Sequence, residues 1–201
     1  MCLDFTNTLA DRPRRHGEHL DSYADLLSWA RQAGALELGE VRRLRGAATR
    51  RPADAEAAFA RAIEVRECLY RLFAAAARGG EPNRKDLVAL NRNLGETLTR
   101  LRLRRSGGGL AWDWASDDES LLRMLWPVVR SAADLLTSEK QALVRECASE
   151  RCSWLFVDRS RTLRRRWCDM RTCGNRSKAR RHYQKQKAEK ACSTSQRSSS
   201  R

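Results

Sequence analysis

Cys147-Ala-Ser-Glu-Arg-Cys152-Ser-Trp-Leu-Phe-Val-Asp158, followed by Arg165-Arg-Trp-Cys168-Asp-Met-Arg-Thr-Cys173-Gly-Asn-Arg176, holds two cysteine pairs of identical C-x₄-C spacing. Each pair suits a tight turn, and two such turns can close a tetrahedral thiolate shell around one zinc ion. Paired spacings of this kind in a chain without a secretory signal favour metal over disulfides. Four protein ligands fill the shell, whereas a catalytic zinc keeps one position for water. The expected site is therefore structural, with Cys147, Cys152, Cys168 and Cys173 as ligands. Cys2, Cys68 and Cys192 stand alone in sequence. Cys68 falls in a helical pattern and reads as a small buried hydrophobe.

Around this nucleus the order of elements reads knuckle, strand, return strand, second knuckle, helix. Trp154 to Val157 is the first strand, and Thr162 to Trp167 is expected to return beside it. Cys173-Gly174 then opens a helix through Ser177, Arg180, Tyr183 and Lys187. That order describes a treble-clef-like finger. Trp154 and Trp167 are expected to form its small core. So little core cannot fold such a segment alone, and zinc, worth about 10–16 kcal/mol in finger peptides, would supply most of the stability. Losing one ligand is expected to unfold the finger and spare the rest of the chain.

The charge distribution gives the finger a partner. The 201 residues carry a net charge of +15. Residues 1–144 hold 23 Lys+Arg against 20 Asp+Glu, a net of +3, while residues 145–201 hold 17 against 5, a net of +12. A near-neutral globule thus precedes a polycation, whose natural counter-charge is DNA or RNA. The basic segment lacks the broad apolar face that an anionic membrane surface would require. Arg176, Lys178, Arg180, Arg181 and Lys185 lie on or beside the last helix and are the expected phosphate contacts, with Arg164, Arg165 and Arg166 adding contacts from the hairpin. Asn175 reads as structural, because Gly-Asn suits a turn or a helix start.

The residues before the finger read as mainly helical. Residues 19–36 form a helix capped by Ser22 and ended by Gly34, with Leu26, Trp29 and Ala30 on one stripe. Asp54 to Ala77 is the longest helical signal, stopped by Gly79-Gly80. Asn83 to Arg100 follows, with Leu87, Leu90, Leu94, Leu98 and Leu101 as its apolar stripe. Alternation on both sides of Gly107-Gly108-Gly109 predicts one β-hairpin, Leu101–Arg104 with Leu110–Trp114. A final helix spans about Glu119 to Leu136, started by Ser116 or Asp117 and disturbed by Pro127. The Ser-rich residues 191–201 are expected to be disordered. Asp4, Asn7 and Thr8 form a polar cluster in an apolar stretch. With Trp29 and Trp126 they are candidates to line a ligand cleft. Helix capping and core packing also explain the three, and that reading is preferred.

Functional classes narrow accordingly. The three histidines have no nucleophile or acid at a motif-like spacing, and the Gly-rich turn leads into a strand instead of a helix. No enzyme is expected. No apolar run approaches a membrane span, and the first residues carry an acid and no basic signal region. The expected location is cytoplasmic, at the nucleoid.

These residues closely resemble the CGNR zinc-finger family. The resemblance rests on Cys173-Gly174-Asn175-Arg176, on Arg166 to Met170 before it, on Trp154 to Asp158, and on Lys178-Ala179-Arg180-Arg181. In that family the finger follows a mostly helical domain called ABATE. Cys2 to Leu9, Tyr23 to Ala30 and Leu125 to Ala132 are similar to that domain. The resemblance covers about residues 2–187. It implies a bacterial transcription regulator, in some cases stress-induced, whose finger binds DNA and whose helical domain senses a small ligand. The expected architecture is mainly α: a helical domain with one small hairpin over residues 1–140, a Cys₄ finger over 145–190, and a tail. The expected function is DNA-binding regulation with one structural Zn²⁺, tuned by a small-molecule effector or by self-association into a homodimer. An RNA-binding zinc protein and a protein-interaction module with the finger as scaffold are the alternatives.

Overall fold

The computed structural model describes residues 1–115 and 120–198. Its longest element, helix α4 (Pro52–Ala77), forms the spine of the N-terminal unit. Pro52 starts it where no backbone donor is needed, and Gly79, at φ +67°, turns the chain away after it. Its inward positions are small in the first half and mostly large in the second. Ala55, Ala58 and Ala62 admit neighbouring helices closely, while Val65, Leu69, Leu72 and Phe73 fill the space between them. Against this spine pack α1 (Cys2–Thr6), α2 (Tyr23–Gln32), α3 (Leu38–Arg50), α5 (Arg84–Leu98) and α6 (Leu125–Leu136). Phe5, Leu26, Leu44, Met124 and Val128 are all fully buried in the shared core.

Local chemistry sets the boundaries. The Ser22 hydroxyl accepts from Asp25 N and caps α2, so residues 19–22 lie outside the helix expected over 19–36. Asn83 caps α5 through Lys85 N. The stripe expected on α5 is only half right. Leu90 is buried and Leu94 packs on the core, but Leu87 and Leu98 face solvent, and Asp86, Asn93 and Thr97 take the buried positions instead. Asp86 is held there by Arg71, whose Nη2 lies 2.6 Å from its carboxylate. Helix α3 has no counterpart in the sequence reading. Its apolar face is only Val41, Leu44 and Ala47, set among four arginines and two glycines, and so narrow a stripe carries little periodic signal.

Strands β3 (Leu101–Ser106) and β4 (Gly109–Trp114) pair antiparallel, with Ser106 opposite Gly109. Gly107 and Gly108 both have positive φ, +55° and +85°, the two-residue turn that matches strand twist. Helix α6 starts at Leu125, after a run of turns, and Pro127 falls in its first turn, where the missing donor is harmless. The expected start at Ser116, Asp117 or Glu119 lies outside the described residues. Near the N-terminus, β1 (Leu9–Asp11) and β2 (His16–Glu18) form a short arm around the turn Arg12–Arg14.

The C-terminal unit differs from expectation in one strand. The partner of β6 (Leu155–Val157) is β5 (Val144–Glu146), upstream of the first cysteine, with Val144 opposite Val157. Residues 162–167 form a loop and not the return strand. Asp158 is the physical reason: its carboxylate accepts from Ser160 N, Ser160 Oγ and Arg165 N. That ties the chain into a closed loop which cannot also run beside β6. After a wide turn over Met170–Gly174, helix α7 runs Asn175–Ser198. It continues past residue 190 into the serine-rich segment that was expected to be disordered; residues 199–201 lie outside the described residues.

Candidate metal centre and nucleic-acid interface

The first knuckle grows out of the β5–β6 hairpin. Cys147 N donates to Trp154 O at 2.9 Å, which extends the ladder by one step. The chain then turns through Ser149, whose carbonyl accepts from Cys152 N at 3.0 Å. The second knuckle is set by Asp169, which accepts from Thr172 N at 2.8 Å and from Thr172 Oγ1 at 3.0 Å. Those donors, the Thr172 backbone N–H first, hold the Asp169 carboxyl below the usual carboxylate range. Cys173 closes this turn at the foot of α7.

All four Sγ atoms lie within 4.8 Å of one another. Cys152 and Cys168 are 3.7 Å apart, and Cys168 and Cys173 are 3.6 Å apart. A disulfide would need about 2.05 Å. A tetrahedron of sulfurs about 2.3 Å from zinc has edges of about 3.8 Å, so the separations fit the metal. Hydrogen bonds from Cys152 and Cys168 pull the Cys147 thiol down to about 2. Bonding to Cys147 pushes Cys152 up to about 12 and Cys168 upward as well. Thiolates gathered this closely repel one another, and a divalent cation among them offsets that repulsion. The donor set is that of one structural zinc ion.

The basic residues around the site divide into two groups. Arg165 is built into the finger: its Nε donates to Trp167 O at 2.8 Å, its Nη2 donates to Cys168 O, and its guanidinium lies 4.7 Å from the Phe156 ring centroid. Arg180 pairs through both nitrogens with both oxygens of Glu150. Arg166 rests over Trp167, and its carbonyl accepts from Ala148 N. Arg164, Arg176, Lys178 and Arg181 are exposed and have no partner among the described residues. The side chain of Lys185 lies outside the described residues. Asn175 donates to Arg171 O at 3.1 Å, a structural contact at the start of α7.

The expected ligand cleft separates into parts. Asp4, Asn7, Thr8 and Trp29 line one groove of about 510 Å³, together with Trp154 of the finger. Trp126 is elsewhere: it faces Trp114, with ring centroids 6.0 Å apart, and Arg123 lies 4.8 Å from it. Its place on the α6 face turned toward α5 and the hairpin keeps it out of the groove. Thr8 is a packing residue, donating to Phe5 O and accepting from Arg66. A second groove, of about 760 Å³, also runs along the seam between the two units and shares Asp4, Asn7 and Trp154 with the first. The Trp154 Nε1 donor is buried there without a partner.

Sequence reasoning missed how tightly the two units join. Asn7 Nδ2 donates to Leu155 O at 2.9 Å, and Leu155 N donates to Asn7 Oδ1 at 2.8 Å, so one side chain imitates a neighbouring strand beside β6. Ser153 N donates to Ala10 O at 2.7 Å, and Arg12 N donates to Ser153 Oγ at 3.2 Å. Tyr70 of α4 and Arg78, the residue that ends it, both reach Glu146 of β5. Val144 and Leu155 are fully buried members of the helical core. Asn7 stood out as polar among apolar residues, but nothing local in the sequence identifies a partner 148 residues away.

Among the described residues no helix is long and apolar enough to cross a membrane. Compared with known families, residues 1–139 match the ABATE model, described as "Putative stress-induced transcription regulator", and residues 144–186 match the CGNR zinc finger. No curated protein matches the chain.

Proposed function

The chain belongs to the ABATE family, with a CGNR zinc finger as its second unit, and from that premise we propose that it is a transcription regulator that binds duplex DNA through the finger and α7. One observation carries this reading. A closed Cys₄ site anchors a helix whose exposed cations, Arg176, Lys178 and Arg181, have no partner among the described residues. Unpaired, solvated guanidinium and ammonium groups on a fixed helix are what phosphate recognition needs. The zinc takes no catalytic part in this reading, because four thiolates complete its shell.

The groove at the seam is the proposed effector site. Its walls come from both units, so a small ligand bonding Asn7 or Trp154 Nε1 would change how the finger is held. Titrating zinc-loaded protein into a labelled duplex and a structured RNA at matched salt tests the main reading. Duplex binding that weakens steeply with salt supports it. Preference for unpaired RNA, or no salt dependence, contradicts it.

A further inference from the structure

Beside the first knuckle lies a cleft of about 430 Å³ whose walls include Arg14, Glu150, Arg151, Arg176, Ser177 and Arg180. Three separate stretches of chain build it: the N-terminal arm, the knuckle and the first turns of α7. Four arginines and a single carboxylate, Glu150, line it. Both oxygens of Glu150 are paired with Arg180. Arg14 is fixed by Asp11, 3.1 Å away, and donates to the Glu150 carbonyl at 2.9 Å. The arm that carries it is pinned to the finger through Ala10 and Ser153.

A phosphodiester offers two non-bridging oxygens with the same forked geometry as a carboxylate. We propose that this cleft seats one backbone phosphate of the bound nucleic acid, and that Glu150 is an internal competitor occupying the seat in the free protein. The proposal rests on the DNA-binding reading and adds two things to it. The helical unit contacts the nucleic acid directly, through Arg14. The finger also carries a built-in brake that phosphate must displace. Glu150 and Arg180 are both well exposed, with side chains 64% and 43% accessible, so their pairing is weak enough to exchange.

The test uses the zinc-loaded full chain and a short labelled duplex, read by fluorescence anisotropy over a series of salt concentrations. Glu150→Gln should bind about threefold tighter, because a competing charge is gone. Arg14→Ala should bind about tenfold more weakly, with a salt slope flatter by about one unit. Arg14→Lys should keep most of the affinity. Zinc content is measured for each variant, and if Arg14→Ala loses metal the decision passes to Arg14→Lys and Glu150→Gln. Wild-type affinity and slope in Glu150→Gln and Arg14→Ala, beside weakened binding in Arg181→Ala, would overturn the phosphate seat and leave the DNA-binding reading intact. No duplex binding by the wild-type chain in dilute salt would overturn both.

Discussion

Arg66 shows most plainly how single residues hold this molecule together. Its guanidinium is buried at 2% exposure, yet it carries a charge on the central helix. Glu18 takes two of its donors at 2.6 and 2.7 Å, Glu67 a third at 2.9 Å, and Thr8 shares one. Glu18→Gln removes the partner that takes two of these donors and leaves Glu67 alone to balance a buried charge, so it should cost about 3 kcal/mol in denaturant unfolding. Burial pushes the Glu18 carboxyl up, but the bonds from Arg66 and from Leu20 N and His19 N outweigh it and leave it below the usual value. Its contribution is therefore complete above the ordinary carboxylate range and is lost as pH falls through the depressed folded value; unfolding curves of the wild type and Glu18→Gln should converge on acidification. Asn7 works by neutral hydrogen bonds. Asn7→Ala strands the Leu155 amide and carbonyl at a buried position and should cost about 1–3 kcal/mol, with faster zinc loss to a chelator. Arg165 and Arg181 separate structure from binding. Arg165→Ala should loosen the second knuckle and speed zinc release, while Arg181→Ala should keep its metal and weaken duplex binding.

Among the elements, α5 tests how the leucine pattern was read. Leu90→Ala should cost about 2–5 kcal/mol, whereas Leu98→Ala should stay within about 0.5 kcal/mol; thermal unfolding of the two variants decides it. Periodicity placed α5 and found Leu90, but five leucines at helical spacing overstated the stripe. Polar side chains with partners on α4, Asp86 with Arg71 and Asn93 with Arg61, occupy the buried face, and that pairing is invisible in one sequence. The hairpin β3–β4 was readable because its Gly-Gly turn and alternation are local. The knuckles were readable because ligand spacing is local too. The strand beside β6 was not, since the choice of β5 over residues 162–167 depends on Asp158 closing a loop. Trp126 was grouped with Asp4 and Trp29 on chemical type alone, and the fold sends it to another face.

At the scale of the whole molecule, the two family units are one body. Val144 and Leu155 of the finger hairpin complete the core built on α4, while the arm, Asn7, Tyr70 and Arg78 cross the seam by hydrogen bonds and an ion pair. This revises the expectation that losing a zinc ligand spares the helical unit. Cys168→Ser should lower the unfolding temperature of the helical part as well, and calorimetry giving an unchanged helical transition would show the seam to be passive. The same joint ties the proposed effector groove, lined by β6, to the phosphate seat, lined by the first knuckle, so that metal, helix and cleft hold together or fail together. The most direct test is duplex binding before and after zinc removal: salt-dependent binding that disappears on chelation and returns when zinc is restored is the expected result, and binding of equal strength with and without the metal would contradict the account.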